Sequence, residues 1–247
     1  MRVLVTRPEP GCSATSRLLA LRGFEPVALP LFQTVFAPLP PQALSGPTAA
    51  VVLTSANGLR GIDPSAWREA QVSKAPIYCV GTATADTARS CGFADVRTGP
   101  GDAAGLAALI TLDWRSGRLE VTPDLPLRYL AGVPRLPDLE SLLAEQKLAF
   151  EVVDVYRMTE ISYSTDFILE HIFMRPVPAI LLHSANAARR LATLLLAETL
   201  SKQVDRSRFH CLSAAIVAAL PVDWRPRSIA ARSPEDASLL ASLDTFS

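Results

Sequence analysis

Three stretches place small hydroxyl or amide side chains directly behind a short apolar run. They are Thr54-Ser55-Ala56-Asn57 after Leu53, His183-Ser184-Ala185-Asn186 after Leu182, and Gly81-Thr82-Ala83-Thr84 after Val80. At a strand-to-helix turn several backbone N–H groups have no partner inside the helix, and the helix dipole puts partial positive charge there. Singly, such serines and asparagines need do no more than cap their own helices, worth about 1 kcal/mol each. Repeated in two halves of a chain and pointed into one cleft, they would bind carboxylates or phosphates without any net positive charge. Tyr156 ends the strand-like run Glu151–Tyr156. There its hydroxyl is either the wet tip of an interface tyrosine or a hydrogen-bond donor to a leaving group. Arg7, Arg135 and Arg157 lie near strand ends, either as solvated surface arginines or as partners for substrate carboxylates.

Most other chemistry lacks its residues. No G-x-G-x-x-G follows a strand and no G-x-x-x-x-G-K-[ST] occurs, so dinucleotides and nucleoside triphosphates are poor candidates. The G-x-S-x-G elbow of a serine nucleophile is also missing. Cys12, Cys79, Cys91 and Cys211 form no C-x-x-C, and His171, His183 and His210 form no H-E-x-x-H. That leaves no zinc or redox-pair pattern. Cys79 and Cys211 sit in short apolar runs and read as small buried residues. The 24 Lys and Arg balance 24 Asp and Glu, so the total charge calls for neither nucleic acid nor an anionic membrane. The chain is 49% apolar and 19% charged, a composition that buries a substantial core and excludes disorder. No apolar stretch at the N-terminus has the length of a secretory signal. The longest apolar run, Ala214–Leu220, is seven residues, against roughly 18 for a membrane span. A soluble, cytoplasmic protein is the expectation. Anion-binding turns without a nucleophile or metal suit an enzyme that steers an already reactive substrate. They suit equally a non-catalytic two-lobed binding protein for an acidic small molecule and, more remotely, a scaffolding duplicate.

The elements that would position these residues alternate almost from end to end. Strands are expected at Val3–Thr6, Pro26–Val35, Ala50–Thr54, Pro76–Val80, Leu127–Ala131, Glu151–Tyr156, Ala179–Leu182, Phe209–Leu212 and Ser228–Ala231. Helices are expected at Ala14–Arg22, Thr82–Cys91, Ala103–Leu112, Leu136–Lys147, Ala185–Leu200, Ala214–Leu220 and Glu235–Leu243. Gly23 and Gly92 stand in the stop position of the first two. This rhythm implies right-handed crossovers and parallel sheets covered by helices.

The chain is also duplicated. Residues 51–60 match 180–189 at five of ten positions, and 102–109 match 236–243 at five of eight. Cys79 and Cys211 fall between them, giving offsets of 129, 132 and 134 residues, and Val27…Thr34 resembles Val152…Thr159 at 125. An offset near half the chain means one α/β unit copied once, far longer than a solenoid repeat of roughly 20–50 residues. The order of pieces is A, B, A′, B′. The links after A (Phe36–Gly46) and after A′ (Thr159–Thr165) read as hinge strands, and two α/β lobes facing across a cleft follow. Ligands of such sheets bind beyond the carboxyl ends of the strands.

These residues together resemble the uroporphyrinogen-III synthase family over nearly the whole length. The resemblance rests on Val3-Leu4-Val5-Thr6-Arg7-Pro8, Leu53-Thr54-Ser55-Ala56-Asn57, and Val80-Gly81-Thr82-Ala83-Thr84-Ala85 leading to Gly92-Phe93. It continues through Val152-Val153-Asp154-Val155-Tyr156-Arg157, Leu182-His183-Ser184-Ala185-Asn186 and Ser233-Pro234-Glu235-Asp236-Ala237. The resemblance implies two flavodoxin-like lobes with parallel sheets, joined by a two-stranded linker. It puts residues 1–36 and 165–247 in one lobe and 37–164 in the other. It implies cyclisation of hydroxymethylbilane, a linear tetrapyrrole with eight carboxylates, to uroporphyrinogen III with inversion of ring D. Loss of the hydroxyl as water leaves an azafulvene cation, and ring D attacks it through a spiro intermediate. Because the free substrate cyclises unaided to isomer I, the protein would contribute orientation and help with water loss. Arg7, Ser55, Asn57, Gly81, Thr84, Ser184 and Asn186 match substrate-contact positions. Tyr156 matches the tyrosine that helps the hydroxyl leave. No cofactor or metal is implied, and a monomer is expected. Two departures stand out. The family's I-G-x-x-T-A turn is here Leu212-Ser213-Ala214-Ala215-Ile216-Val217, and Pro134 and Pro137 flank Arg135.

Overall fold

The computed structural model describes residues 1–38, 44–63, 75–195 and 198–246. Its strands are β1 (Arg2–Val5), β2 (Glu25–Ala28), β3 (Phe32–Phe36), β4 (Ala50–Leu53), β5 (Ile77–Cys79), β6 (Val96–Thr98), β7 (Leu127–Val133), β8 (Phe150–Glu160), β9 (Ala179–Leu182), β10 (Arg208–Cys211) and β11 (Ser228–Ala230). The helices used below are α1 (Gly11–Leu21), α2 (Asn57–Arg60), α3 (Thr82–Ser90), α4 (Ala103–Arg115), α5 (Asp138–Glu145), α6 (Ala185–Leu194), α7 (Ala214–Ala218) and α8 (Asp236–Ala241). They form two compact units, Met1–Gln33 with Thr159–Ser247, and Thr34–Met158.

The first unit carries a parallel sheet in the order β11-β10-β9-β1-β2. Its central strands β1, β9 and β10 are buried on both faces, which is why they read as continuous apolar runs. Leu4, Ile180 and Leu182 pack on one side with Leu191 and Ile216 of α6 and α7. Val3, Val5 and Leu181 pack on the other with Leu19 of α1 and Leu239 of α8. The second unit carries β6-β5-β4-β7-β8 in parallel, with β3 added beside β8. Val51, Leu53 and Leu130 pack with Leu59 of α2 and Ala85 of α3, while Val52, Tyr78 and Tyr129 pack with Leu106 of α4 and Leu139 of α5. The two strand orders are the same arrangement with the repeats exchanged. A (β1, β2) joins B′ (β9–β11), and B (β4–β6) joins A′ (β7, β8).

Glycine ends two helices as the sequence indicates. Gly23 (φ +80°) and Gly92 (φ +95°) take the left-handed conformation. The N–H of Phe24 donates to Leu19 C=O, and that of Phe93 to Ala88 C=O, closing the six-to-one bond of a Schellman end.

Several elements depart from expectation. The run Pro26–Val35 is two strands, because β2 pairs with β1 whereas β3 pairs with β8. Pro30 lies at the break and has no N–H to offer a ladder. The Ala37 N–H donates to Val155 C=O and the Ile161 N–H to Leu31 C=O, each at 3.0 Å, so β3 and β8 run antiparallel. The chain passes from one unit to the other within these two strands, between Gln33 and Thr34 and between Met158 and Thr159, just ahead of the expected stretches Phe36–Gly46 and Thr159–Thr165; residues 39–43 of the first stretch lie outside the described residues. Strand β8 is eleven residues long because it pairs with β7 on one side and β3 on the other. Of the helix expected over Ala185–Leu200, Ala185–Leu194 and Glu198–Ser201 are helical, and residues 196 and 197 lie outside the described residues. Among the described residues, no helix is long and apolar enough to cross a membrane.

Candidate active site

Parallel strands deliver all their carboxyl ends to one rim, and the sequence-expected residues collect there within each unit. In the first unit, Arg7 follows β1, and Ser184 and Asn186 follow its neighbour β9. In the second, Ser55 and Asn57 follow β4, and Gly81 and Thr84 follow its neighbour β5. Tyr156 lies on β8, and register carries it to the same rim. Leu130 of β7 stands opposite Leu53, and Gly132, two residues further along, stands opposite Tyr156. Tyr156 therefore lies two residues beyond the end of the β4–β7 ladder, on the rim where Ser55 follows β4.

The turns differ in what their N–H groups do. Gly81 begins α3 in an extended conformation and no side chain caps that helix, so its first N–H groups stay free for a ligand. Thr84 is buried beneath this turn. Ser184 is spent locally: its Oγ accepts from the Ala187 N–H at 3.1 Å, the ordinary cap of α6. Asn186 is exposed, and its Oδ1 accepts from Arg189 at 3.1 Å. Ser55 Oγ accepts from the Asn57 N–H at 3.2 Å. Asn57 donates through Nδ2 to Thr34 Oγ1 at 3.3 Å and accepts from Arg60 at 2.9 Å. The altered turn at Ser213 still begins a helix, α7, without a side-chain cap.

Arg7 donates to Asp236 Oδ2 at 2.7 Å and to Thr15 Oγ1 at 3.3 Å. It lies over the start of α1, where a Cβ on Gly11 would come 2.5 Å from its Nε. His183 Nε2 sits 3.6 Å from the other oxygen of Asp236. Burial, reinforced by the Arg7 charge, lowers the His183 imidazole to about 4, so it is neutral at pH 7. Asp236, Arg7 and the neutral His183 thus form a polar cluster on the first unit's rim. On the second unit's rim, Thr54 and Tyr129 share a hydrogen bond of 2.9 Å between their hydroxyls, and burial pushes the Tyr129 phenol up. Arg135 is held by Glu140 at 2.6 Å and Asp154 at 2.7 Å. His183, Asp236, Tyr129 and Gly132 were not among the sequence-expected site residues. Tyr129 reads as core from its apolar surroundings, and only the proximity of Arg7 to Asp236, 229 positions away, reveals the cluster.

The order 2-1-3-4-5 of both sheets, once A and A′ are counted first, is the flavodoxin-like arrangement. A family model described as uroporphyrinogen-III synthase HemD matches residues 13–241. The chain belongs to the uroporphyrinogen-III synthase family. Its reaction is the cyclisation of hydroxymethylbilane in tetrapyrrole biosynthesis, which makes it a cyclising lyase. The fold agrees with solved structures of the family. One is a uroporphyrinogen-III synthetase from Helicobacter pylori, 14% identical, with a TM-score of 0.63 over 100% of this chain and 99% of that one. Another is a mutant uroporphyrinogen III synthase from Thermus thermophilus, 19% identical, with a TM-score of 0.59 over 99% of this chain and 98% of that one. No curated protein sequence matches the chain.

Proposed function

We propose that the polar rims of the two units hold the carboxylates of hydroxymethylbilane and that Tyr156 assists departure of its hydroxyl. The observation that carries this reading is the register at β7 and β8, which brings Tyr156 just past the end of the β4–β7 ladder, to the rim that also bears the uncapped start of α3. Carboxylates would take hydrogen bonds from the free N–H groups after Gly81 and from Asn57, while Arg7 would offer a charged donor on the other unit. Thr84 supports the turn from beneath. Ser184 shapes its turn by capping α6, leaving the adjacent Asn186 side chain exposed to a ligand.

The chemistry asked of these groups is modest. A proton passing to the hydroxyl as its C–O bond breaks releases water and leaves the azafulvene cation. Carbon–carbon bond formation at ring D, fragmentation of the spiro intermediate and re-closure then return a proton, so substrate goes to uroporphyrinogen III plus water. A positioned proton donor contributes about 10²–10⁴-fold. Holding both ends of the chain molecule in one conformation decides isomer III over isomer I.

The test uses purified protein and freshly generated hydroxymethylbilane, with the products oxidised and the isomers separated by chromatography. Isomer III in excess is expected; isomer I alone overturns the reading, and binding without isomer III favours a non-catalytic tetrapyrrole carrier. Tyr156→Phe is expected to lower turnover by about 10²-fold or more with the melting temperature within a few degrees. Unchanged turnover removes Tyr156 from the mechanism. A monomer in the cytoplasm is part of the same proposal, checked by light scattering and by fractionation of the cells that make it.

A further inference from the structure

We infer that Gly132 is a positioning residue for the reaction: the space left by its missing side chain is the seat on which the Tyr156 phenol lies. The inference rests on the reading of Tyr156 as the group that helps the hydroxyl leave.

A Cβ built on Gly132 would lie 2.5 Å from the Tyr156 hydroxyl oxygen and closer still to the ring carbons Cζ and Cε2. No real side chain tolerates such distances, so any residue but glycine must push the phenol away. A second device aims the ring at this gap. The pairing of β7 with β8 slips between Ala131 and Gly132: Ala131 stands opposite Asp154 and Gly132 opposite Tyr156, leaving Val155 unpaired on this side. Side chains alternate along a strand, so without the slip Val155 and Tyr156 would face opposite ways. With it, Val155 enters the core beside Leu53 and Leu130, and Tyr156 packs against the same cluster. A bulge that re-aims one side chain is a recurrent device near active sites.

The seat is braced. The carbonyl of Val155 is taken by the Ala37 N–H at 3.0 Å, so the bulged residue is held from the β3 side. Arg135 donates to the Gly132 carbonyl at 3.4 Å while bound to Glu140 and Asp154. Tyr156 is half-buried, and its hydroxyl end, not its ring root, lies over Gly132. Moving the hydroxyl by about an ångström is the kind of misplacement that costs about 10²-fold in rate.

The experiment is a kinetic cycle on the full chain with Gly132→Ala, Tyr156→Phe and the double variant, reading kcat, KM and the ratio of isomer III to isomer I. Gly132→Ala is expected to lower kcat about 10²-fold with KM within about twofold, because the carboxylate contacts are made elsewhere. In the Tyr156→Phe background the same change is expected to lower kcat by less than about threefold, since no hydroxyl remains to be misplaced. Equal losses in both backgrounds, or a Gly132→Ala enzyme with ordinary kcat, overturn the inference while leaving Tyr156 in place. A Tyr156→Phe enzyme with ordinary kcat overturns the reading of Tyr156 and the inference with it. If Gly132→Ala does not fold, Gly132→Ala with Tyr156→Ala is expected to fold as well as Tyr156→Ala alone; failure of that double variant overturns the seat.

Discussion

The turn after β4 and the turn after β9 share Ser-Ala-Asn at the same offset, yet they do different work. Ser184 caps a ten-residue helix. Ser55 reaches only the first residue of a four-residue helix, and Asn57 is turned toward Thr34. One letter further on lies the cause. Gly58 stands where the other copy has Ala187, and a Cβ there would lie 3.1 Å from the Leu130 carbonyl, so α2 packs closer to the sheet than a side chain would allow. The residues before the serines diverge too. Thr54 shares its hydroxyl with Tyr129, whereas His183 is a largely buried, neutral imidazole facing Asp236. The aspartates of the second repeat block differ in the same way. Asp102 caps α4, its Oδ1 accepting from the Gly105 N–H at 2.7 Å; Asp236 caps nothing and is taken by Arg7. A polar side chain in a duplicated turn serves whichever partner its own unit supplies. Identity of residue and position does not carry identity of role.

The largest expected consequence is acid sensitivity confined to one unit. All three histidines lie in residues 159–247. Burial lowers His183 and His210 to about 4, helped by Arg7 and Arg208 respectively. Each is neutral when folded and takes a proton when unfolded below its ordinary value near 6.5. Their contribution is whole above pH 6.5 and is lost as the pH falls toward 4, at up to about 1.4 kcal/mol per pH unit per group. The second unit's buried carboxylate behaves otherwise. Burial would raise Asp113, but the hydrogen bonds from Tyr78 and Arg97 and the charges of Arg97 and Arg118 outweigh it and lower it. Its contribution is present above the ordinary carboxylate range and is lost only as pH falls below about 4. Hydrogen exchange at pH 7 and pH 5 is expected to show residues 1–33 and 159–246 losing protection while 75–158 retain it. Equal loss in both units breaks the contrast.

A smaller effect tests the Thr54–Tyr129 pair. Thr54→Val leaves the buried Tyr129 hydroxyl without its partner and is expected to cost about 1–3 kcal/mol in chemical denaturation. Adding Tyr129→Phe is expected to recover part of that loss, because both polar groups are then gone. A double variant less stable than Thr54→Val sinks the pair as a unit.

The smallest difference separates the two aspartates. Asp102→Ala removes a cap and is expected to cost about 1 kcal/mol. Asp236→Ala breaks a half-exposed ion pair and is expected to cost a few tenths. Urea midpoints in that order support the division of labour; equal losses mean that Asp236 also caps its helix.

Much of the architecture is legible in the sequence. Apolar runs bounded by turn residues marked nearly every strand, because a parallel strand is buried on both faces. Gly23 and Gly92 announced helix ends, because only glycine reaches the left-handed position without strain. The break at Pro30 was missed because Pro26–Val35 is continuously strand-like, and only the choice of two different partner strands splits it. The rim residues were legible in the same measure. Ser55, Asn57, Gly81, Thr84, Ser184 and Asn186 follow strands and so had to reach carboxyl ends. What each does with its hydrogen bonds depended on neighbours far along the chain, as with Arg7 and Asp236.

By itself, the order of residues determined local matters: which runs extend, where helices stop, and that one unit was written twice. Those follow from dihedral preference and burial, which act over a few positions. The family resemblance placed the first piece of one copy with the last piece of the other, but only folding decided which strands meet there, β1 with β9 and β4 with β7. Folding also decided that a slipped ladder lays Tyr156 across Gly132. Pairing partners are chosen by complementary surfaces brought together over more than a hundred residues, and no short-range preference encodes that choice.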